Sequence, residues 1–214
     1  MTTIARTVLR EQVKDILLQR IASGALHPGE RLVETRIAQE LGTSQAPVRE
    51  ALRDLELLRL VESEPFRGAR VRSFGEEELI AVYPVRAALE ELAAKEAAVR
   101  LAGDVSGLER AVATMRAAAK RGDLQALVQH DFGFHREIVT AAGNPILLQC
   151  WKSLGVEGRI TLTIYGTQVE PEDAAELHVP LLEAIRSQNA AAAGKAARRH
   201  VEYFAKLARR KPLR

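Results

Sequence analysis

The sequence predicts a mainly α protein: a small N-terminal helical unit ending in a short β-hairpin, followed by an all-α bundle of about six helices. Three observations predict it. Apolar residues recur with a 3.6-residue rhythm through nearly the whole chain. Strand-like stretches are confined to the segment between Leu60 and Arg72. Glycine-containing breaks separate the periodic segments at helix-length intervals. With 214 residues, 47% hydrophobic and 28% charged, the chain can bury one large core or two modest ones, which argues against disorder. The start, Met1-Thr2-Thr3-Ile4-Ala5-Arg6, lacks the apolar core of a signal peptide, and no run approaches the roughly 18 apolar residues of a membrane span. A cytoplasmic protein is expected. The single cysteine, Cys150, excludes an internal disulfide and, among Ile146, Leu147 and Trp151, is expected on a buried helix face.

Charge is informative through its distribution. The net charge is only +3, with 12 Lys/Arg against 10 Asp/Glu in residues 1–74, 11 against 17 in 75–194, and 8 against 1 in 195–214. The basic excess sits in the last helix, where a solvated face accounts for it, so charge alone does not establish a nucleic-acid partner.

In the first segment Val8, Leu9, Val13, Ile16, Leu17 and Ile21 form one apolar helix face that Gly24 stops. After the turn His27-Pro28-Gly29, a short helix turns Ile37, Ala38 and Leu41 inward, and Gly42 ends it. Thr43 and Ser44 supply hydroxyls suited to an N-cap, Pro47 fits the first turn of the next helix, and that helix buries Val48, Ala51, Leu52 and Leu55. A short helix, a four-residue turn and a capped helix make a helix-turn-helix whose second member enters a DNA major groove. Gln45, Arg49 and Arg53, four apart, line the face opposite Val48 and Leu52, where arginine can read guanine and glutamine adenine. Leu60-Val61 and Arg67-Gly68-Ala69-Arg70-Val71-Arg72 read as the two strands of a wing, with basic side chains for phosphate or the minor groove. A small helical domain with a surface arginine stripe is the alternative from pattern alone.

The strings Pro28-Gly29-Glu30-Arg31-Leu32, Ile37-Ala38-Gln39-Glu40-Leu41-Gly42-Thr43-Ser44 and Pro47-Val48-Arg49-Glu50-Ala51-Leu52 closely resemble the DNA-binding domain of the GntR family of bacterial transcriptional regulators. The resemblance spans nearly all of residues 8–72 and implies roles in DNA contact for Arg36 and Arg49 and a wing-tip place for Gly68. Two positions depart from the family pattern. Gln45 stands where arginine is usual at the start of the recognition helix, which implies a shifted operator preference. Arg59 stands where glycine usually precedes the Leu-Val leading into the wing, so it must accept a positive φ or reshape the turn.

Ser73-Phe74-Gly75 reads as a linker, dividing a DNA-binding domain at 1–74 from a helical domain at 75–214. There the rhythm predicts a helix over about Glu76–Leu101 burying Leu79, Val82, Leu89, Leu92 and Ala93, and a second over Val105–Arg121 burying Leu108, Val112 and Met115. After Gly122-Asp123 a third runs to about Ala142; Gly143-Asn144-Pro145 breaks it; a fourth extends through Trp151 and Leu154 towards Gly166. The last two fall near Glu172–Gln188 and Ala190–Arg210.

Asp131 and His135, four apart, share a face with Val128 and Ile138; His178 shares one with Leu181, Leu182 and Ile185; His200 shares one with Ala197, Val201, Phe204 and Leu207. Alone, Asp-x-x-x-His is a common surface pair, and a single inward His is usually a hydrogen-bonded core residue. Four inward polar groups from three helices must satisfy each other or a cation, because an unpartnered buried carboxylate or imidazole is costly. Three imidazoles and one carboxylate suit Zn²⁺, Ni²⁺ or Mn²⁺.

The segment from Ala126-Leu127 through Asp131-Phe132-Gly133-Phe134-His135-Arg136 to Ala142-Gly143-Asn144-Pro145 resembles the FCD effector-binding domain of the FadR-like branch of that family. The resemblance implies a divalent-metal site at Asp131, His135, His178 and His200, and a homodimer binding a palindromic operator. His130 does not match. Pro180, two residues after His178, either kinks a helix there or marks a helix starting near Val179 with His178 as its cap. In the expected function a small organic acid, such as a sugar acid, keto acid or dicarboxylate, binds at the metal and controls DNA binding. Arg86, inward with Val82 and Leu89, is its candidate cationic partner, unless it pairs with Glu90 or Glu91, and Asn144 is assigned to the same effector site. Alternatives are a metal-free regulator responding to an acyl thioester or other hydrophobic effector, and a metal-dependent hydrolase, for which no carboxylate is placed as general base.

Overall fold

In the computed structural model, which describes residues 3–64, 68–73, 76–166 and 169–210, the chain divides into two compact units, 1–74 and 75–212. Side chains of residues 3–8, 64, 76–80 and 208–210 lie outside the description, which removes Val8 and Leu79 from comparison; Arg67, Phe74 and Gly75 also fall outside it.

The first unit holds α1 (Thr3–Ser23), β1 (Arg31–Leu32), α2 (Glu34–Glu40), α3 (Gln45–Leu57), β2 (Val61–Glu64) and β3 (Gly68–Val71). Its core is Val13, Leu17, Leu18 and Ile21 of α1 against Val48, Ala51, Leu52 and Leu55 of α3, closed by Ile37, Leu60, Val61 and Val71. The periodic reading of α1 is shifted slightly: Leu18 is buried and Leu9 is 39% exposed. The sheet has order β1-β3-β2, all antiparallel; the two-residue β1 is too short to leave a periodic signal.

Both helices of the helix-turn-helix end alike. Leaving α2, the Thr43 N–H donates to the Ala38 carbonyl at 2.9 Å and the Gly42 N–H to Gln39 at 3.3 Å, with Gly42 at φ 62°. Leaving α3, the Leu60 N–H donates to the Leu55 carbonyl at 2.9 Å and the Arg59 N–H to Glu56 at 2.9 Å, with Arg59 at φ 59°. These are paired Schellman closures. Arg59 therefore accepts the left-handed conformation instead of reshaping the turn. Ser44 occupies the N-cap of α3, but its hydroxyl makes no capping bond.

The second unit is all-α: α4 (Glu76–Arg100), α5 (Ser106–Lys120), α6 (Leu124–Ala141), α7 (Pro145–Ser153), α8 (Val156–Tyr165), α9 (Pro171–Glu176), α10 (Val179–Arg186) and α11 (Ala190–Arg210). There are thus eight helical segments among the described residues where about six helices were expected. The fourth expected helix is divided at Gly155, whose φ of 64° ends α7 and starts α8. The fifth is divided at Leu177-His178, because Pro180 can stand in a first turn but not deeper in a helix.

α4 and α11 pack along their length through small residues, with Ala87, Ala93, Ala94, Ala97 and Ala98 of α4 and Ala193, Ala197 and Val201 of α11 all buried. The approach is close: a Cβ on Gly194 would lie 2.5 Å from Lys95 Cε. Alanine fills the inward line of α4, and Leu92, expected there, is 45% exposed. Cys150 likewise faces outward, on α7 beside the 66% exposed Ile146, while Trp151 turns fully inward. α8 is buried along its whole length and forms one wall of the interior.

Candidate functional site

Asp131 and His135 sit one turn apart on the inward face of α6, whose start is capped by Asp123 accepting from the Ala126 N–H at 3.0 Å. His178 is the residue from which α10 starts; Leu181 and Leu182 donate to its carbonyl at 3.1 and 3.0 Å. His200 comes from α11. All four are at least nine-tenths buried, at 4%, 2%, 0% and 7% exposure in chain order. The short link between α9 and α10 therefore places His178 instead of displacing it.

Each imidazole turns the same nitrogen inward. His178 Nδ1 lies 2.8 Å from the Ala174 carbonyl and His200 Nδ1 3.1 Å from the Leu177 carbonyl. A carbonyl only accepts, so both Nδ1 atoms carry the proton and both Nε2 atoms keep a lone pair in the neutral ring. His135 Nδ1 lies 2.9 Å from Glu90 Oε2, a bent contact at ion-pair distance. One ligating atom from each of His135, His178 and His200 falls within 4.8 Å of the others. His135 Nε2 and His200 Nε2 face each other at 3.2 Å, and Asp131 joins them with Oδ1 3.6 Å from His135 Nε2 and Oδ2 3.5 Å from His178 Nε2. Phe134 and Phe204 pack edge-on against these rings.

The electrostatics keep Asp131 and His200 in ligating form. Burial pushes the Asp131 carboxyl up, but the electrostatic pull of His178, His135 and His200 brings it down to about 2, so it is ionised. Burial, then repulsion from His178 and His135, drives His200 well below the ordinary histidine value, so it is neutral. Two ring nitrogens 3.2 Å apart are satisfied by a proton or a cation between them, and His178 Nε2 is buried with no hydrogen-bond partner. Both features fit a cation. Two nitrogens each about 2.05 Å from one tetrahedral zinc are separated by roughly 3.3 Å. Three imidazoles and a carboxylate suit Zn²⁺, Ni²⁺ or Mn²⁺.

A small cavity, with room for about one water molecule, opens on this cluster. Asp131, His135, Arg86 and Thr163 supply its polar lining, and Ile160, Ile164 and Phe204 are among its apolar walls. Arg86 lines the cavity and pairs with Glu90, Nε to Oε1 at 2.6 Å. Asn144 does not reach this cavity. It is exposed and its side chain caps α7, accepting from Ile146 and Leu147 N–H at 3.1 Å each, because the Asn-Pro step that ends one helix is also the start of the next. His130 is half-buried and faces a separate surface groove with Arg136 and Glu137. Sequence reasoning treated Glu90 only as a possible partner of Arg86. Its spacing from Arg86 was the one signal, and Glu91 beside it, which pairs with Lys95 and Arg198 on the surface, masked which carboxylate turns inward.

On the first unit, Arg36, Gln45, Arg49 and Arg53 are all exposed on α2 and α3. Arg49 makes a two-point contact with Glu34, Nε and Nη2 to Oε2 at 3.0 and 2.8 Å, and that carboxylate raises its pKa. The β2–β3 ladder pairs Glu64 with Gly68, and Gly68 has φ 80°, the conformation a tight wing tip requires. Among the described residues, no helix is long and apolar enough to cross a membrane.

Known proteins place both units. Residues 9–71 match the model of bacterial regulatory proteins of the gntR family, and residues 81–203 match the FCD domain. Over 201 residues, 94% of this chain and 89% of the relative, the sequence is 36% identical to a "Probable D-xylose utilization operon transcriptional repressor" of Paenarthrobacter nicotinovorans. It is 27% identical, over 84% of this chain and 87% of the relative, to the galactonate operon transcriptional repressor of Escherichia coli K12. The solved structure of E. coli McbR/YncC shares the fold with a TM-score of 0.63 at 24% identity, covering 98% of this chain and 99% of that one. An N-terminal helix-turn-helix with a two-stranded wing, joined to an all-α domain of the FCD type, makes this chain a member of the GntR family of DNA-binding transcriptional regulators.

Proposed function

We propose that the chain is a repressor whose grip on DNA is set by a small carboxylate bound at a divalent metal held by Asp131, His135, His178 and His200. The observation that carries this reading is the facing pair of ring nitrogens, His135 Nε2 and His200 Nε2 at 3.2 Å, with His200 Nδ1 on the Leu177 carbonyl and His135 Nδ1 turned to Glu90 at 2.9 Å. The ion supplies a Lewis-acidic docking point. Arg86 supplies a second positive charge on the same cavity wall, and Thr163 a hydroxyl, so an acid's carboxylate and hydroxyl groups both find partners. A relative named for a galactonate operon favours a sugar acid over a keto acid or dicarboxylate. Glu90 is held by Arg86 and Trp151 and lies behind His135, which leaves it no role as a base for a metal-bound water.

On the DNA side, Arg49 reads a base edge from the recognition helix with Glu34 fixing its guanidinium and Gln45 and Arg53 on the same outward stripe, while Arg36 and the wing around Gly68 position the unit on the backbone. Two copies acting as a dimer read a palindrome in the bacterial cytoplasm. The test is DNA release. DNA selected from a random pool by the purified zinc-loaded protein is titrated with galactonate and other aldonic acids, before and after chelation. Release by an acid from the zinc-loaded protein alone is the expected result; equal release after chelation contradicts a metal-bound effector.

A further inference from the structure

We infer that Glu90 is the positioning residue that makes His135 the strongest donor of the site and joins it to Arg86 in the cavity, an inference that rests on the metal reading above. Three donors from three helices meet on this one buried carboxylate. Oε1 accepts from Arg86 Nε of α4 at 2.6 Å and from Trp151 Nε1 of α7 at 2.9 Å, and Oε2 lies 2.9 Å from His135 Nδ1 of α6. Stability alone does not call for such a group, since a buried ion pair roughly breaks even against apolar side chains of the same volume.

Its placement distinguishes His135 from the other two histidines. His178 and His200 rest their Nδ1 protons on neutral carbonyls, and of the three His135 alone turns its Nδ1 to a carboxylate. A carboxylate behind an imidazole fixes the tautomer and raises the basicity of the far nitrogen. Arg86 competes for the same carboxylate. An anion in the cavity that draws on Arg86 loosens its hold on Glu90 and leaves more of that charge to His135, so anion and metal each tighten the other's binding. Trp151, the single tryptophan of the chain, is stacked on Phe132 with ring centres 5.4 Å apart and 14° between planes, and its Nε1–H ends on Glu90. Its emission therefore reports directly on the joint.

The experiment uses the full chain and Zn²⁺ alone as probe, in chelator-buffered titrations followed by tryptophan emission and calorimetry. Wild type, Glu90→Gln, Arg86→Met and the double variant are compared. Glu90→Gln is expected to weaken zinc by roughly 10- to 100-fold and to lose the emission change at saturation. Arg86→Met is expected to tighten zinc in the wild-type background and to have a much smaller effect beside Glu90→Gln. Equal zinc affinity in wild type and Glu90→Gln overturns the inference while leaving the metal reading intact. An equal effect of Arg86→Met in both backgrounds also overturns it, since Arg86 would then act only as a charge through space. A wild-type chain that binds no zinc overturns the metal reading and the inference together. Should Glu90→Gln not fold, with Arg86 left unpaired, nitrogen-detected NMR of wild type decides: the His135 Nδ1 proton is expected to be the most deshielded of the three site histidines, and a shift no different from theirs overturns the inference.

Discussion

In the N-terminal unit Arg36, Gln45, Arg49 and Arg53 stand in solvent, and Arg49 leans on Glu34 with 52% of its side chain exposed. In the C-terminal unit Asp131, His135, His178 and His200 share one buried cluster, with Glu90 and Arg86 behind it. The difference lies in what each group waits for. A solvated arginine gives up water to reach DNA, so its partner must supply both charge and shape, and its removal costs binding without disturbing the fold. A buried imidazole has already lost its water. Its unsatisfied nitrogen is a standing cost that a ligand can relieve, so binding there feeds directly into stability.

The largest expected effect therefore belongs to the buried cluster. Stripping the ion is expected to destabilise the zinc-loaded protein by about 4 kcal/mol when the free zinc concentration had been about 1,000 times Kd. Thermal unfolding with and without chelator measures it, and His178→Ala should make the melting temperature insensitive to chelator. A chelator shift of the same size in His178→Ala breaks the contrast between the units.

Next in size is Arg49→Ala. If Arg49 reads a base edge, it costs about 1–3 kcal/mol in discrimination between selected and random duplex, with the melting temperature unchanged. Loss that is uniform across sequences would reassign it to phosphate. A smaller effect is expected at Arg59, which holds φ 59° in a closure that Gly42 makes at φ 62°. Arg59→Gly should stabilise the N-terminal unit by about 0.5–1 kcal/mol in urea denaturation, the relief of left-handed strain less the entropy glycine adds to the unfolded chain. Destabilisation there would show that the side chain contributes more than its backbone conformation costs.

The last prediction concerns shape more than size. The folded pKa of His200 is depressed below its ordinary 6.5 by burial and by its histidine neighbours. Between those two values the unfolded chain binds a proton that the folded protein refuses, so stability of the chelated protein falls as pH drops below about 6.5. Asp131 acts lower: its folded pKa of about 2 lies under 3.8, so its contribution is present above 3.8 and is lost as pH falls towards 2. His200→Gln should flatten the upper part of the melting-temperature profile; an unchanged profile assigns the loss to other groups.

Periodicity and turn chemistry made most of this architecture legible. The recognition helix, its wing and the three histidines of the cluster follow from spacing, because a helix face repeats regularly and Gly42, Gly122 and Gly143 mark ends that only a left-handed residue closes cheaply. What stayed hidden has a common physical cause: size and polarity in sequence do not reveal the neighbour. Leu92 reads as core, yet the close approach of α11 puts small residues, mostly alanine, on the inward line of α4 and leaves Leu92 exposed. Cys150 and Trp151 are adjacent, and nothing local states that the indole turns inward to Glu90. Asn144 reads as part of a site motif and serves as a helix cap. Pro180 raised the question of where His178 would stand, and the helix start at Val179 answered it.

Metal content of the wild-type chain tests the central claim most directly. Protein purified without added metal or chelator, then exchanged into metal-free buffer, is analysed by plasma mass spectrometry beside His178→Ala and His200→Ala. The account predicts about one divalent transition-metal ion per wild-type chain and almost none in either variant, with helical content by circular dichroism retained in all three. Wild type without metal that also fails to take up Zn²⁺, Ni²⁺ or Mn²⁺ on titration, or variants that keep the ion, would contradict it.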